Sequence, residues 1–415
     1  MAPFKPHLVV VLGMHRSGTS ATTRGLQALG VELGERLTPG VAGVNEKGFF
    51  EDTEINNLNI EILESLEKTW HSVAMIPDEV FLADAFSAFR ERAKALLAER
   101  LGETPFGLKD PRIARLLPFW KSVFSELDIR VSYVIAIRNP LSVAHSLLGR
   151  DAMNPVKSYY LWVLHVLPSI LLTADAPRVV VDFDSLMSAP GEQLKRIADA
   201  LNLPYAADSA GVDDYANEFL DASLLHARFT AQDLRADAAV PGIVVETFEV
   251  LLRLANDQMN LAEPATREYF EQRWSDIESI SALLGCLDES EAERLQLQER
   301  LSQHFEQIIE TQRERLSQHF EQIIETQRER LSVMETDWRA RGEHIEFMSR
   351  LLAERDAHIE TVSEEWKARG EHIENLAQKI QELEQENFAF KTSRCGKLFA
   401  FFEKIQSGIA GRTAP

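Results

Sequence analysis

Short, continuous apolar runs alternate with segments of helical periodicity in the N-terminal part of this chain. The runs 7–13 (HLVVVLG), 130–138 (RVSYVIAIR) and 178–183 (RVVVDF) are rich in valine and isoleucine, and 106–111 (FGLKDP) is a weaker fourth. Segment 82–102, which lies between two of them, carries apolar residues at helical spacing. Continuous apolar strands separated by helices are typical of a parallel sheet with both faces covered. The pattern therefore predicts an α/β fold, a parallel sheet flanked by helices.

A different pattern begins near residue 286, where the chain becomes rich in Glu, Gln and Arg and lacks proline until Pro415. The sequence ERLSQHFEQIIETQ occurs twice, at 299–312 and 314–327, and its 15-residue period does not fit heptads. That period indicates a local departure from left-handed supercoiling. From Leu331 onward, residues recur in a seven-residue pattern that is typical of a coiled coil.

Two core positions define this heptad. The first carries Leu331, Trp338, Ile345, Leu352, Ile359, Trp366, Ile373, Ile380 and Asn387; the second carries Met334, Arg341, Met348, Arg355, Val362, Arg369, Leu376, Leu383 and Phe390. Isoleucine at the first position with leucine at the second favours two parallel strands. We therefore predict a long C-terminal coiled-coil helix that joins a parallel homodimer. The alternative is a long surface helix folded back on its own chain, which the arginines at the second position favour.

The final segment, 393–411 (SRCGKLFAFFEKIQSGIAG), places five large apolar residues beside three basic ones. An amphipathic helix of this kind can lie on a membrane surface. The alternative is a helix that caps the coiled coil or docks on the N-terminal domain. A weak contact of this tail with a membrane surface is therefore one of the two interpretations that the sequence leaves open.

Composition narrows the classes of function. The chain has 415 residues, 45% of them hydrophobic, and a net charge of -21, which argues against broad binding to nucleic acid or anionic membranes. Cys286 and Cys395 are far apart, and no metal-ligand cluster surrounds them. We read the N-terminal apolar run as a buried strand rather than a signal peptide, and no apolar stretch reaches the ~20 residues of a membrane span. These features predict a cytoplasmic protein, peripheral to the membrane if its tail binds lipid.

The segment 13–20 (GMHRSGTS) follows the first predicted strand and precedes a helical pattern. Free backbone N–H groups converge at such a turn and bind anions. The two glycines have the spacing of a nucleoside-triphosphate P-loop, but Thr19 occupies the lysine position and Ser20 follows it. Arg16 is the cation within the loop, and hydroxyl groups are abundant. This set suits an anion of modest charge bound without a metal, unless the segment is an ordinary glycine turn.

A second anion motif lies in segment 134–150 (VIAIRNPLSVAHSLLGR). Arg138 stands at the carboxyl end of a predicted strand, and Ser146 follows eight residues later on a predicted helix. An arginine and a nearby hydroxyl can hold another phosphate through charge-assisted hydrogen bonds. The simpler reading of Arg138 alone is a surface salt bridge.

Together these two motifs resemble those of the PAPS-dependent sulfotransferases, in particular bacterial and carbohydrate-sulfotransferase-like members. PAPS is 3′-phosphoadenosine 5′-phosphosulfate. The resemblance covers roughly residues 7–190 and implies that two groups of residues bind this cosubstrate. The first group would hold the 5′-phosphosulfate and the second the 3′-phosphate: Arg16, Ser17, Gly18, Thr19 and Ser20; Arg138 and Ser146.

Three further segments are similar to elements of that family. Residues 45–52 (NEKGFFED) look like its glycine-aromatic-aromatic-acid element, and 107–112 (GLKDPR) look like its Lys-Asp-Pro-Arg element. Residues 179–190 (VVVDFDSLMSAP) are similar to its strand and Tyr-Glu-Asp-Leu turn, with Phe183 and Asp184 in place of Tyr and Glu. We expect this departure to affect packing more than chemistry.

The resemblance also implies a catalytic base that accepts the proton of the acceptor hydroxyl. Family members use a histidine or a glutamate, and the acidic segment 45–52 favours glutamate. We choose Glu51, with Glu46 as the alternative and Asp110 as a third candidate that a capping role explains as well. Lys109 and Arg112 could bind an anionic acceptor or the bridging oxygen.

The sequence therefore predicts a sulfotransferase that moves a sulfuryl group from PAPS to a hydroxyl of a glycan or related surface metabolite, without a metal. The alternative is a non-catalytic nucleotide-binding scaffold that acts through its coiled coil. A P-loop kinase is disfavoured by Thr19. The predicted domains are a sulfotransferase-like P-loop domain (1–285), a coiled coil (286–392) and an amphipathic tail (393–415).

Overall fold

The structure is a computed structural model that describes residues 4–40, 47–206, 210–220, 229–339 and 345–410, with side chains described except at 338–339, 345–346 and 383–410. The chain divides into two compact units, Met1–Arg300 and Leu301–Pro415. The first unit holds the sheet, and the second is formed by long helices.

A four-stranded parallel sheet forms the centre of the first unit. Its strands are β1 (His7–Leu12), β2 (Phe106–Lys109), β3 (Arg130–Ile137) and β4 (Arg178–Asp182), in the order β2-β1-β3-β4. In β1, Val10 is in register with Leu108 on one side and with Tyr133 on the other. Each predicted strand is present, and all pairings are parallel. The carboxyl ends of the strands therefore meet at one edge, where ligands bind in open α/β sheets.

Helices cover both faces of this sheet. Those of the first unit are α1 (Thr19–Gln27), α2 (Thr53–Ser65), α3 (Asp78–Leu82), α4 (Ser87–Arg100), α5 (Leu117–Glu126), α6 (Pro140–Asp151), α7 (Pro155–Leu171), α8 (Phe183–Ser188), α9 (Pro190–Leu201), α10 (Ala210–Asp214), α11 (Ala231–Ala236), α12 (Gly242–Ala255) and α13 (Pro264–Ser279). A 3₁₀ turn spans Pro111–Ala114. The predicted helix at 82–102 is divided into α3, a 3₁₀ turn and α4, because Ala83 adopts an extended conformation.

The alternating side chains of β1 show why the strand is apolar from Leu8 to Leu12. Leu8, Val10 and Leu12 pack into a cluster with α2, α4 and α5 on one face, whereas Val9 and Val11 pack with α1 and α9 on the other. All five side chains are fully buried. A strand covered on both faces disfavours polar side chains, so Leu8–Leu12 reads as one apolar run. The polar His7, at the beginning of the strand, is buried with its Nε2 2.7 Å from Oγ of Ser132.

Two long helices end the chain. Helix α14 spans Ser281–Arg339, with residues 281–300 in the first unit, and α15 spans Ile345–Ala410. The predicted fold class is thus confirmed, with a parallel sheet flanked by helices and followed by long C-terminal helical structure. Coiled-coil pairing and the boundary at 285 remain predictions. Within the described ranges, no helix has the length and apolarity needed to cross a membrane.

Candidate functional site

The glycine-rich loop connects the end of β1 to the beginning of α1. Arg16 and Gly18 both adopt positive φ, at 67° and 80°, so that the chain turns sharply into the helix. A Cβ added to Gly18 would lie 2.1 Å from the Phe183 ring, so only glycine fits there. The loop thus brings backbone N–H groups to the amino end of α1, where an anion is favoured.

The second motif lies directly beside this loop. Arg138 follows the last residue of β3, and its Nη1 donates a 3.2 Å hydrogen bond to the carbonyl oxygen of Arg16. Nε of Arg16 donates a 2.8 Å hydrogen bond to Oγ of Ser146 on α6. The two motifs are 122 residues apart in sequence and meet because β1 and β3 are neighbouring parallel strands. All three predicted side chains therefore lie in one site.

Positive charge is concentrated around the loop. Burial and the cations Arg150 and Arg138 lower the pKa of Arg16 below its usual value. The Arg138 guanidinium lies 4.8 Å from the ring centroid of Phe183, which packs against Gly18. Oγ of Ser17 is buried and has no hydrogen-bond partner among the described residues. A bound anion would relieve the repulsion between the arginines and provide an acceptor for this hydroxyl.

Lys109, the last residue of β2, supplies a further cation beside the loop. Its ammonium donates hydrogen bonds to Oε1 of Glu51 at 2.6 Å, to the carbonyl oxygen of Phe49 at 2.9 Å and to Oγ of Ser20 at 3.3 Å. Both members of the Lys109–Glu51 ion pair are buried. The Lys109 ammonium thus reaches Ser20 of the loop from the neighbouring strand.

Glu51 lies immediately before α2, and Asp52 caps that helix by accepting hydrogen bonds from the backbone of Glu54 and Ile55. Oε2 of Glu51 accepts a 2.8 Å hydrogen bond from Nδ2 of Asn56, one turn into the helix. Burial raises the pKa of Glu51, although the Lys109 ammonium partly opposes this effect. A buried carboxylate with a raised pKa accepts a proton more readily than an exposed one.

The Asp110 carboxylate, by contrast, is fully engaged in hydrogen bonds. It accepts from the backbone and the guanidinium of Arg112, at 2.9 and 3.0 Å, and from the side chains of Asn59 and Asn56, at 2.9 and 3.3 Å. Trp120 in turn donates to Oδ1 of Asn59. Asp110 therefore caps the 3₁₀ turn and links that turn to α2. Glu46, the other candidate acid, lies outside the described residues.

Sequence reasoning missed Asn56 and Asn59, which orient the two buried acids. Their spacing of three residues on one helix, directly after the segment GFFED, is the signal that could have found them. The glycine-rich loop also contains His15. In the structure, the His15 ring lies 4.4 Å from the Trp70 ring, and burial together with Arg112 holds the His15 pKa well below its usual range.

Comparisons with known proteins give distant structural likenesses. No protein-family model and no curated protein matches the chain. The sulfotransferase domain of the Synechococcus PCC 7002 olefin synthase is 15% identical, with 60% of this chain and 97% of that domain covered at a TM-score of 0.33. The sulfotransferase domain of the curacin biosynthetic pathway is 14% identical (61% and 97% covered, TM-score 0.31). Retinol dehydratase, in complex with retinol and PAP, is 12% identical (66% and 82% covered, TM-score 0.27).

Proposed function

We propose that this chain transfers a sulfuryl group from PAPS to an acceptor hydroxyl. The observation that carries the proposal is the convergence of the two anion motifs, through the hydrogen bonds of Arg16 with Ser146 and of Arg138 with the Arg16 backbone. A cosubstrate with a phosphosulfate at one end and a 3′-phosphate at the other needs two anion sites on one side of the sheet. The resemblance of both motifs to the PAPS-dependent sulfotransferases assigns a role to each.

In the proposed complex, the loop residues hold the phosphosulfate through backbone N–H groups and hydroxyls, and Arg138 and Ser146 hold the 3′-phosphate. The loop residues are Arg16, Ser17, Gly18, Thr19 and Ser20. Arg16 donates a hydrogen bond to Ser146, so a residue of the first anion site contacts a residue of the second. Charge-assisted hydrogen bonds of this kind are the strong ones in binding phosphate.

Glu51 is the proposed general base, and Lys109 is the proposed cation that stabilises the leaving group. The acceptor oxygen forms a bond to sulfur while the bond from sulfur to the phosphate oxygen breaks, and the hydroxyl proton passes to Glu51. Negative charge then develops on the departing phosphate, which a nearby ammonium stabilises. Lys109 contacts both Glu51 and Ser20 of the loop, so it links the proton acceptor to the cosubstrate site. Glu46 remains the alternative base.

Ligand binding separates this function from its competitors. We expect adenosine 3′,5′-bisphosphate (PAP) to bind the protein more tightly than ATP does in calorimetry, and ³⁵S to pass from labelled PAPS to an added hydroxyl compound. A scaffold would bind PAP without transferring sulfur, whereas a kinase would prefer ATP with Mg²⁺. Tighter binding of ATP than of PAP would contradict the proposed function.

The C-terminal helices are proposed to join two copies of the chain. Large apolar side chains remain exposed on α15 at heptad positions, including Leu352, Ile359, Trp366 and Leu376 with 39–50% of their surface accessible. Pairing with a second copy would bury them. The acceptor is proposed to be a glycan or a related surface metabolite, on the resemblance of segments 45–52 and 107–112 to the carbohydrate enzymes.

A further inference from the structure

The ring of Phe219 connects the helix of the glycine-rich loop to the segment that carries Glu51. Phe219 ends a π-helical turn that begins at Tyr215, and its ring packs edge-to-face against Phe50, with 5.8 Å between the ring centroids and 72° between the planes. It also stacks on the Tyr215 ring, with the centroids 5.9 Å apart. The Tyr215 hydroxyl donates a 2.9 Å hydrogen bond to the carbonyl oxygen of Ala21 on α1. The turn therefore links α1 to the residue directly before Glu51.

Phe50 adopts a left-handed backbone conformation, with a φ of 55°. This conformation is unfavourable for a residue with a Cβ, so it persists only where surrounding contacts hold it. The carbonyl oxygen of Phe49 accepts hydrogen bonds from Lys109 at 2.9 Å and from Ser20 at 3.2 Å, which fixes the chain before Phe50. The Phe219 ring contacts the Phe50 side chain itself, and edge-to-face aromatic contacts are stabilising.

Two cations lie against the same Phe219 ring. Nζ of Lys47 is 5.3 Å and the guanidinium carbon of Arg24 is 5.5 Å from its centroid. The Lys47 ammonium also donates a hydrogen bond to the Phe219 carbonyl oxygen. Cation–π contacts add to the attraction of aromatic packing. Phe219 is thus held between Arg24 on α1 and two residues of the segment before Glu51, Lys47 and Phe50.

The conformation of Phe50 determines where the Glu51 carboxylate lies. Glu51 follows Phe50 directly, and its two oxygens contact Lys109 at 2.6 Å and Asn56 at 2.8 Å. The chain after Glu51 is already fixed, because Asp52 caps α2. A change of φ at Phe50 would therefore reorient the peptide before Glu51 and move its carboxylate away from Lys109.

We propose that Phe219 is a positioning residue, which holds Phe50 in the left-handed conformation and so keeps the Glu51 carboxylate in place for sulfuryl transfer. Phe219 acts through Phe50 and does not itself contact the substrate. Small displacements of a catalytic group slow a reaction strongly, so the loss of this contact should lower the rate. The inference rests on the proposed function for the identity of the reaction, whereas the placement of Glu51 can be measured without it.

The test measures the Glu51 pKa by ¹³C NMR of the full chain labelled at glutamate, with Glu51→Gln to assign the signal. Burial raises this pKa above 4.5 in the wild type. Phe219→Leu should return it toward 4.5, because the displaced carboxylate loses its burial. Phe219→Tyr, which keeps the ring, should leave it raised. The matched control is Phe89→Leu, since Phe89 is another half-buried phenylalanine and lies on α4.

Two variants of Phe50 test whether Phe219 acts through it. Phe50→Leu removes the same ring contact from the other side, and should lower the Glu51 pKa as Phe219→Leu does. Phe50→Gly relieves the backbone strain, because glycine adopts positive φ readily. In the Phe50→Gly background, Phe219→Leu should therefore cause no further change.

Sulfuryl transfer is measured on the same proteins with ³⁵S-labelled PAPS and 4-nitrophenyl β-D-glucoside as the hydroxyl compound. Phe219→Leu should lower the rate by about 10–100-fold, the cost of a misplaced catalytic group, while PAP affinity stays within about twofold. A Glu51 pKa that is the same in Phe219→Leu and Phe50→Leu as in the wild type would overturn the inference. So would a full effect of Phe219→Leu in the Phe50→Gly background.

The two measurements separate this inference from the proposed function. A pKa that falls in Phe219→Leu, in a chain that binds no PAP and transfers no sulfur, supports the positioning of Glu51 and contradicts sulfuryl transfer. Transfer by the wild type with a Glu51 pKa that is unaffected by Phe219→Leu leaves the proposed function intact and removes the role of Phe219.

Discussion

Nζ of Lys109 lies 2.6 Å from Oε1 of Glu51, and both side chains are buried beside the glycine-rich loop. The two residues are 58 positions apart and come from different elements, the end of β2 and the segment before α2. A buried ion pair contributes little net stability, because desolvation offsets the attraction between the charges. The pair lies against Ser20, and the proposed function gives it a role in proton transfer and leaving-group stabilisation.

The first prediction concerns Glu51. Because burial raises its pKa, kcat/KM of the wild-type protein should rise with pH through a pKa above 4.5 as the base loses its proton. Glu51→Gln should remove this rise and lower kcat by about 10²–10⁴-fold, the usual contribution of a general base. PAP affinity should remain, and Glu64→Gln, at an exposed position of α2, should behave as wild type. An unchanged kcat in Glu51→Gln would show that another residue acts as the general base.

Arg138 provides the second prediction. Arg138→Ala should weaken binding of PAP by about 1.5–3 kcal/mol, the value of a buried hydrogen bond to a charged group. Adenosine 5′-phosphosulfate, which lacks the 3′-phosphate, should lose far less affinity. Calorimetry with the two nucleotides checks this, and Arg235→Ala on the exposed surface of α11 is the matched control. Equal weakening for both nucleotides would show that Arg138 does not contact the 3′-phosphate.

Much of this fold could be predicted from the sequence, since a strand buried on both faces leaves a distinctive apolar run. The positions of Arg16, Arg138 and Ser146 followed from the same pattern, because the carboxyl ends of neighbouring parallel strands share one edge. Within the helical regions the prediction was coarser. The break at Ala83 depends on a local backbone conformation that apolar periodicity does not encode.

The environment of the acids could not be predicted in this way. Asn56 and Asn59 donate hydrogen bonds to Asp110, and Trp120 donates to Asn59. The spacing of the two asparagines places them on one helix face, but it does not show that this face meets Asp110 and Trp120, which lie more than 50 positions away in sequence. Likewise, Asp288 and Val73 are 215 positions apart. Long-range hydrogen bonds between a side chain and the backbone carry no periodic signal, so these contacts emerge only from tertiary structure.

A third prediction is that sulfuryl transfer requires no divalent metal. In a P-loop the hydroxyl after the lysine holds Mg²⁺. Here the equivalent Ser20 hydroxyl donates to the Phe49 carbonyl and lies 3.3 Å from the Lys109 ammonium, which would repel a divalent cation. Rates measured in EDTA should therefore equal those in Mg²⁺. Loss of transfer in EDTA that Mg²⁺ restores would contradict this assignment.

The fourth prediction tests the contact between Asp288 of α14 and the backbone of Val73 and Ala74, in the segment that follows α2. Asp288→Ala removes the acceptor for the amides of Val73 and Ala74, and should lower the free energy of unfolding by about 2–3 kcal/mol. Hydrogen exchange at these two amides should accelerate, as measured by NMR. The matched control is Glu289→Ala, an exposed acid one position along the helix. Unchanged exchange would mean that Asp288 does not hold this segment.

The last prediction concerns assembly. We expect a parallel homodimer joined through residues 331–390, and sedimentation of the full chain at micromolar concentration should give twice the monomer mass of 46.9 kDa. Ile359→Asp places a charge at the first heptad position and should shift the protein to monomer. Val333→Asp is the matched control, since Val333 is 69% exposed and lies outside both core positions. A monomeric wild-type chain would contradict the pairing, and a dimer insensitive to Ile359→Asp would place the contact elsewhere.

The affinity of this dimer should be modest, because the seam mixes favourable and unfavourable residues. Ile359, Ile373 and Leu376 supply apolar surface at core positions, whereas Arg355 places a charge in the same seam and must extend its side chain outward to reach water. Trp366, which is 50% exposed on α15, is large for a two-stranded core. Arg355→Leu should therefore tighten the dimer, visible as a lower dissociation constant in sedimentation equilibrium. Weaker association of Arg355→Leu would show that the arginine lies outside the seam, and the heptad register would then be wrong.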